Sequence, residues 1–148
     1  MIPINDSEPN RYSSFPLMTV GLIAVNTFIL IWELSLPAPM LRVVFRFFGS
    51  TPSYVWSREG AGMISTITSM FLHGGVFHLV GNMLFLWVFG RRVEDACGPM
   101  RFLLFYLLAG TSSDLMTALV LPRMDIPGIG ASGAIFGVMG AYLLLFPG

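Results

Sequence analysis

The chain has no lysine: its eight basic residues are all arginines, and eight acidic residues balance them to a formal net charge of zero. Without a basic excess there is no sign of a nucleic-acid partner. A single cysteine, Cys97, cannot close an internal disulfide and has no CxxC companion with which to hold a metal. The two histidines, His73 and His78, lie five residues apart and do not form the HExxH pattern of a zinc protease. Neither a metal nor a cofactor is expected. Charge itself is scarce, at 11% of residues where a soluble domain carries about a quarter, while 55% of residues are hydrophobic and the mean hydropathy is +0.76. That balance excludes an ordinary soluble domain and implies a membrane protein.

A cleaved secretory leader is not expected either. Residues 1–16, MIPINDSEPNRYSSFP, form a polar segment rich in turn formers, with one basic residue, Arg11, and no small-residue cleavage site. Leu17 onward therefore reads as a retained span within a membrane domain over residues 17–148.

Four runs are candidates to cross a hydrocarbon core about 30 Å thick, which takes about 20 residues of helix. The first, residues 17–36, has Asn26 and Glu33 as its polar exceptions, with Glu33 close enough to the end to reach the interface. Pro37 and Pro39 stop it. The loop beyond carries Arg42 and Arg46 one helical turn apart among Met, Leu, Val and Phe. This pattern fits a short helix in the headgroup layer, and equally a folded loop packed on the helices. The second run, residues 64–90, contains both histidines, Gly74, Gly75 and Asn82. The third, residues 101–121, contains Asp114. The fourth, residues 129–146, has 18 residues, or about 27 Å of helix. It spans only with little tilt or with its first turn in a hydrated cavity. Four arginines fall on either side, so loop charge does not choose an orientation.

Polar groups at bilayer depth are costly and tend to mark function. His78 and Asn82 stand at i and i+4, on one helix face, either to tie helices together or to point at one site. In IGASGAIFG, residues 129–137, one hydroxyl stands among glycines. If Ser132 is a nucleophile, the oxyanion it creates needs donors, which the Asn82 amide, a histidine N–H and a backbone N–H at the helix start would supply. Gly130 and Gly133 would leave room for a substrate beside it. Equally, Gly133, Gly137 and Ala141 form a small-residue stripe for close helix packing, in which Ser132 is one more small residue. The pattern is not the GxSxG elbow of an α/β-hydrolase, since Ala134 takes the place of the second glycine. A nucleophilic serine also needs a base. His78 cannot freely serve as both base and oxyanion donor, His73 is more than a turn away, and no spacing supports Asp114 or Asp125 as partners. The catalytic set is incomplete.

The segments FLHGGVFHLVGNMLFLWVFG, GRRVEDACGPMRFLLFYLLAG and GASGAIFGVMGAYLLLFP, in that order and spacing, resemble the rhomboid family of intramembrane serine proteases over about residues 64–147. The resemblance implies an all-α, polytopic membrane bundle with four transmembrane helices of a six-helix core plus an interfacial first loop. It makes Ser132 the nucleophile, His78 and Asn82 the oxyanion-stabilising pair and His73 a supporting residue, and it marks a turn from Glu94 to Gly98. It implies cleavage of single-span membrane proteins in a lipid bilayer, placed here in the cell membrane, without a cofactor. The family's base is a histidine on the sixth core helix, whereas this sequence stops at Gly148 after the fourth. The 148-residue chain alone is therefore expected to be inactive or nearly so, its C-terminal portion or a complementing chain being absent. The alternative is an inactive rhomboid-like protein or fragment that binds transmembrane helices. Many members pair Trp and Arg in the first loop; here Ser57 separates Trp56 from Arg58.

Overall fold

A computed structural model describes residues 15–57 and 59–147. Most of the polar segment 1–16, and Arg58 of the Trp–Arg element, thus lie outside the described residues. All regular secondary structure among the described residues is helical, apart from a single isolated bridge between Ser50 and Gly128.

Helix α1 (Leu17–Ser35) begins directly after Pro16, and Leu36 ends it in extended backbone before Pro37. Helix α2 (Ala38–Phe48) buries only Val44 and leaves Arg42 and Arg46 exposed. The reading of the first loop as carrying a short helix holds in that respect. A single turn, α3 (Pro52–Val55), follows.

The second hydrophobic run differs from a continuous span. It divides into α4 (Gly62–Phe71) and α5 (Val76–Cys97), whose axes bend by 85° at the break. In α4, Ser and Thr side chains turn back onto the carbonyls three residues earlier, Ser65 Oγ on Gly62 at 2.6 Å and Thr66 Oγ1 on Met63 at 2.8 Å. Such local bonds compete with regular helix, and α4 is a mixture of 3₁₀ and α turns. At the break Gly75 takes φ 146°, a backbone region closed to side-chain-bearing residues. Helix α5 continues past residue 90 through a π-helical turn at Leu86–Gly90 and ends only at Cys97.

Helix α6 (Pro99–Val120) has proline in its first turn, where a missing N–H costs nothing. Helix α7 (Ser132–Leu145) has 14 residues, about 21 Å, and begins three residues later than the fourth run. By length and composition α1 and α6 can each cross a membrane, the bent pair α4–α5 makes a third crossing if counted as one, and α7 is a shorter apolar helix.

Leu86, Phe102, Tyr106, Ala131, Ala134 and Val138 are fully buried where α5, α6 and α7 meet. The stripe on α7 does what its spacing suggests. A Cβ on Gly137 would lie 2.6 Å from that of Ala109, and one on Gly133 would lie 2.7 Å from Ser113 Oγ, so the two helices touch nearly backbone to backbone. Gly133 therefore faces α6 and does not open space for a substrate. The outer faces carry exposed Phe28, Phe77, Phe136 and Leu144, the pattern of a bundle solvated by lipid.

Candidate active site

The loop from α6 into α7 brings the singled-out serine to a helix start. Ser50 and Gly128 exchange both backbone hydrogen bonds at 2.9 Å, which fastens this loop to the end of α2. Two residues on, the Gly130 N–H donates to the Ser69 carbonyl at 2.9 Å. Gly130 adopts φ 117°, and a Cβ there would stand 2.7 Å from both Cε1 and Nε2 of His78 and 3.4 Å from Asn82 Nδ2. Only glycine lets the imidazole edge and the amide close on this backbone. Ser132 follows as the first residue of α7, half-buried, where the leading N–H groups have no acceptor within the helix.

His78 and Asn82 project together from α5, as their i, i+4 spacing requires. His78 Nδ1 accepts the Gly74 N–H at a long 3.4 Å. In the neutral ring the proton then belongs on Nε2, the nitrogen that faces Gly130. Asn82 is buried, and its Nδ2 has no hydrogen-bond partner among the described residues. A buried amide donor without an acceptor calls for an explanation. An oxygen arriving beside Gly130 would satisfy it.

His73 is buried, and its ring meets that of His78 edge to face with centroids 5.2 Å apart. Among the described residues neither of its ring nitrogens has a hydrogen-bond partner. Its backbone N–H does: both carboxylate oxygens of Glu33 lie 3.3 Å away. This corrects the expectation for Glu33. The helix turns it inward to the break in the second run, where it is 2% exposed, and not outward to the interface. No spacing could show this, because the partner is 40 residues away.

Among the described residues neither Asp114 nor Asp125 hydrogen-bonds to a histidine. Asp125 sits in the α6–α7 loop beside Arg46 at 3.5 Å and Ser53 Oγ at 3.3 Å. Asp114 Oδ2 accepts the Ser69 hydroxyl at 2.8 Å, and the Ser69 carbonyl in turn holds Gly130. Asp114 thus supports the loop leading to Ser132 from two bonds away, which accounts for a residue that the sequence left unexplained. The Ser132 hydroxyl makes no hydrogen bond among the described residues.

The sequence reading gave Glu94 only a place in a turn. The carboxylate, 3% exposed, accepts the Met18 N–H at 2.8 Å, the Thr19 N–H at 2.8 Å and the Thr19 hydroxyl at 2.7 Å. It caps the start of α1 from another helix. The available signal was an omission: Pro16 precedes α1, so that helix has no side-chain cap of its own.

The Rhomboid domain family model matches residues 60–148. Among curated relatives, RHOMBOID-like protein 6, mitochondrial, of Arabidopsis thaliana is 44% identical over 77 residues, covering 52% of this chain and 24% of that protein. Rhomboid protease GluP of Bacillus subtilis (strain 168) is 46% identical over 77 residues, covering 52% of this chain and 15% of its own length. Rhomboid protein 1, mitochondrial, of Saccharomyces cerevisiae is 32% identical over 135 residues, 88% of this chain and 37% of that protein. The matched stretch thus spans well under half the length of each of these relatives. No solved structure gives a significant match.

Proposed function

The chain belongs to the rhomboid family, and from that premise we propose that it carries the nucleophile and oxyanion site of an intramembrane serine endopeptidase. The observation that carries the reading is the unpartnered Asn82 amide beside Gly130, with His78 Nε2 against the same backbone, two residues before Ser132. In this reading Ser132 Oγ attacks the carbonyl carbon of a peptide bond in a single-span membrane protein. The carbonyl oxygen takes up negative charge against the Asn82 Nδ2–H, the His78 Nε2–H and a backbone N–H at the start of α7. Collapse of the tetrahedral adduct expels the amine and leaves an acyl-enzyme, which water hydrolyses. His73 packs behind His78.

The Ser132 proton needs an acceptor. Both histidines in this sequence are committed in the proposed scheme, His78 as a donor over Gly130 and His73 behind it. The 148-residue chain by itself is therefore inactive or nearly so, and catalysis requires a base from outside these residues. The protein is integral to a membrane. Placing it in the cell membrane belongs to the proposal, since its relatives include proteins named mitochondrial and chloroplastic.

The second reading, a rhomboid-like protein that binds transmembrane helices without cutting them, draws on the same missing acceptor. One experiment separates the two. The protein is immunopurified from its native membranes through residues 1–16, with any chain that accompanies it, and incubated with single-span membrane proteins while fragments are followed by mass spectrometry. The protease reading expects cleavage that disappears in Ser132→Ala. Cleavage that survives Ser132→Ala, or helix binding with no cleavage at all, overturns it.

A further inference from the structure

Glu33 is a buried carboxylate in a membrane span, and among the described residues one donor, the His73 N–H, meets it. A buried charge-bearing group with so little compensation costs stability, and a leucine or methionine would fill similar space without that cost. Its placement therefore asks for a reason beyond packing.

The break it touches supplies one. Three consecutive N–H groups of the break go to three separate acceptors. Leu72 donates to the Ser69 carbonyl at 3.2 Å, His73 to Glu33, and Gly74 to His78 Nδ1. The first acceptor belongs to α4, the second to α1 and the third to α5. With Gly74 and Gly75 next in sequence, the backbone here has wide freedom and needs an outside tether to hold one shape. Trp32 and Leu72, the residues immediately before Glu33 and His73, line an apolar cavity of about 360 Å³ with Phe71 and Ile29. That side is apolar but for Thr68, whose hydroxyl is turned to the Phe48 carbonyl at 2.6 Å, and a buried N–H left unpaired is unfavourable.

We propose that Glu33 is a positioning residue: by holding the His73 N–H it fixes the turn at residues 72–75, and through the Gly74 N–H it keeps the His78 ring against Gly130 with Nε2 as the donor. The functional consequence rests on the reading of His78 as an oxyanion donor; the positioning itself does not.

The test uses the full 148-residue chain in phospholipid bicelles, with isotope-labelled histidine and glycine. Two quantities are read: amide hydrogen exchange at His73 and Gly74, and the nuclear Overhauser contact between the His78 ring and Gly130. In the wild type both amides are protected and the contact is present. Glu33→Leu raises exchange at His73 and Gly74 at least tenfold and abolishes the contact, while amides of Phe102 and Tyr106 in α6 keep their protection. Glu33→Gln, whose amide oxygen still accepts, restores both. Glu33→Leu with wild-type exchange and contact overturns the proposal. Should Glu33→Leu not fold, the wild type decides, because unprotected His73 and Gly74 amides are incompatible with a held turn. None of these readouts involves cleavage, so failure of the Ser132 reading and failure of this one are separately visible.

Discussion

Two buried glutamates define the two ends of α1, and they are built differently. Glu94 reaches the start of the helix from α5 and accepts three short hydrogen bonds at 2.7 to 2.8 Å. Glu33, near the other end, shares one backbone N–H between its two oxygens at 3.3 Å. The first carboxylate is well compensated and binds only the start of α1. The second is poorly compensated and touches the turn that carries His73. Departures from full polar satisfaction concentrate where a protein does its chemistry. The contrast sets a clamp at one end of α1 against the proposed positioning contact at the other.

The largest effect expected from breaking this contrast is at the clamp. Glu94→Ala strands the buried N–H and hydroxyl of Thr19 and the partly buried N–H of Met18, and each buried donor without a partner costs about 1–3 kcal/mol. A loss of about 3 kcal/mol or more is expected in a denaturant titration of the detergent-solubilised chain, with the combined fluorescence of Trp32, Trp56 and Trp87 as the reporter. Unchanged stability would remove the clamp from the account.

Next in size is Gly130→Ala. The left-handed backbone alone costs about 1–2 kcal/mol for a residue with a Cβ, and the methyl group must displace the His78 ring. Expected is loss of the His78–Gly130 contact and of any Ser132-dependent cleavage by the native assembly, with a smaller fall in stability than for Glu94→Ala. A larger fall would mean that Gly130 belongs with the clamp and not with the site.

The smallest effect is expected at the surface. Arg46 and Asp125 lie 3.5 Å apart with both side chains more than half exposed, so Asp125→Asn should leave stability unchanged within error in the same titration. A measurable loss would show that the α6–α7 loop depends on this pair as well as on the Ser50–Gly128 bridge.

Much of the architecture was legible because it lies along single helices. The apolar run from Leu17, its stop before Pro37, the i, i+4 pairing of His78 with Asn82 and the small-residue stripe at Gly133 and Gly137 all follow from local spacing. Other features hid in contacts between distant segments. Glu33 meets His73 over 40 residues, Ser69 meets Asp114 over 45, and Thr19 meets Glu94 over 75. Helical periodicity carries no information on such pairs. The break at Leu72–Gly75 stood between these cases: its two glycines were visible, yet a hydrophobic run of sufficient length reads as one span. Only the three-way division of its N–H groups shows why it bends. Gly133 was legible as small but not in direction, since it meets α6 while Gly130 meets His78.

The clamp on α1 also sets an order of events during synthesis. Glu94 follows Thr19 by 75 residues, and at ribosomal rates of 5–20 residues per second that separation lasts about 4–15 s. For most of that interval α1 is already made and its leading N–H groups are uncovered. Water, lipid headgroups or the insertion machinery must serve as their temporary acceptors until α5 arrives. Failure of that handover would leave a newly made first helix detached, available to quality-control factors before Ser132 has been synthesised.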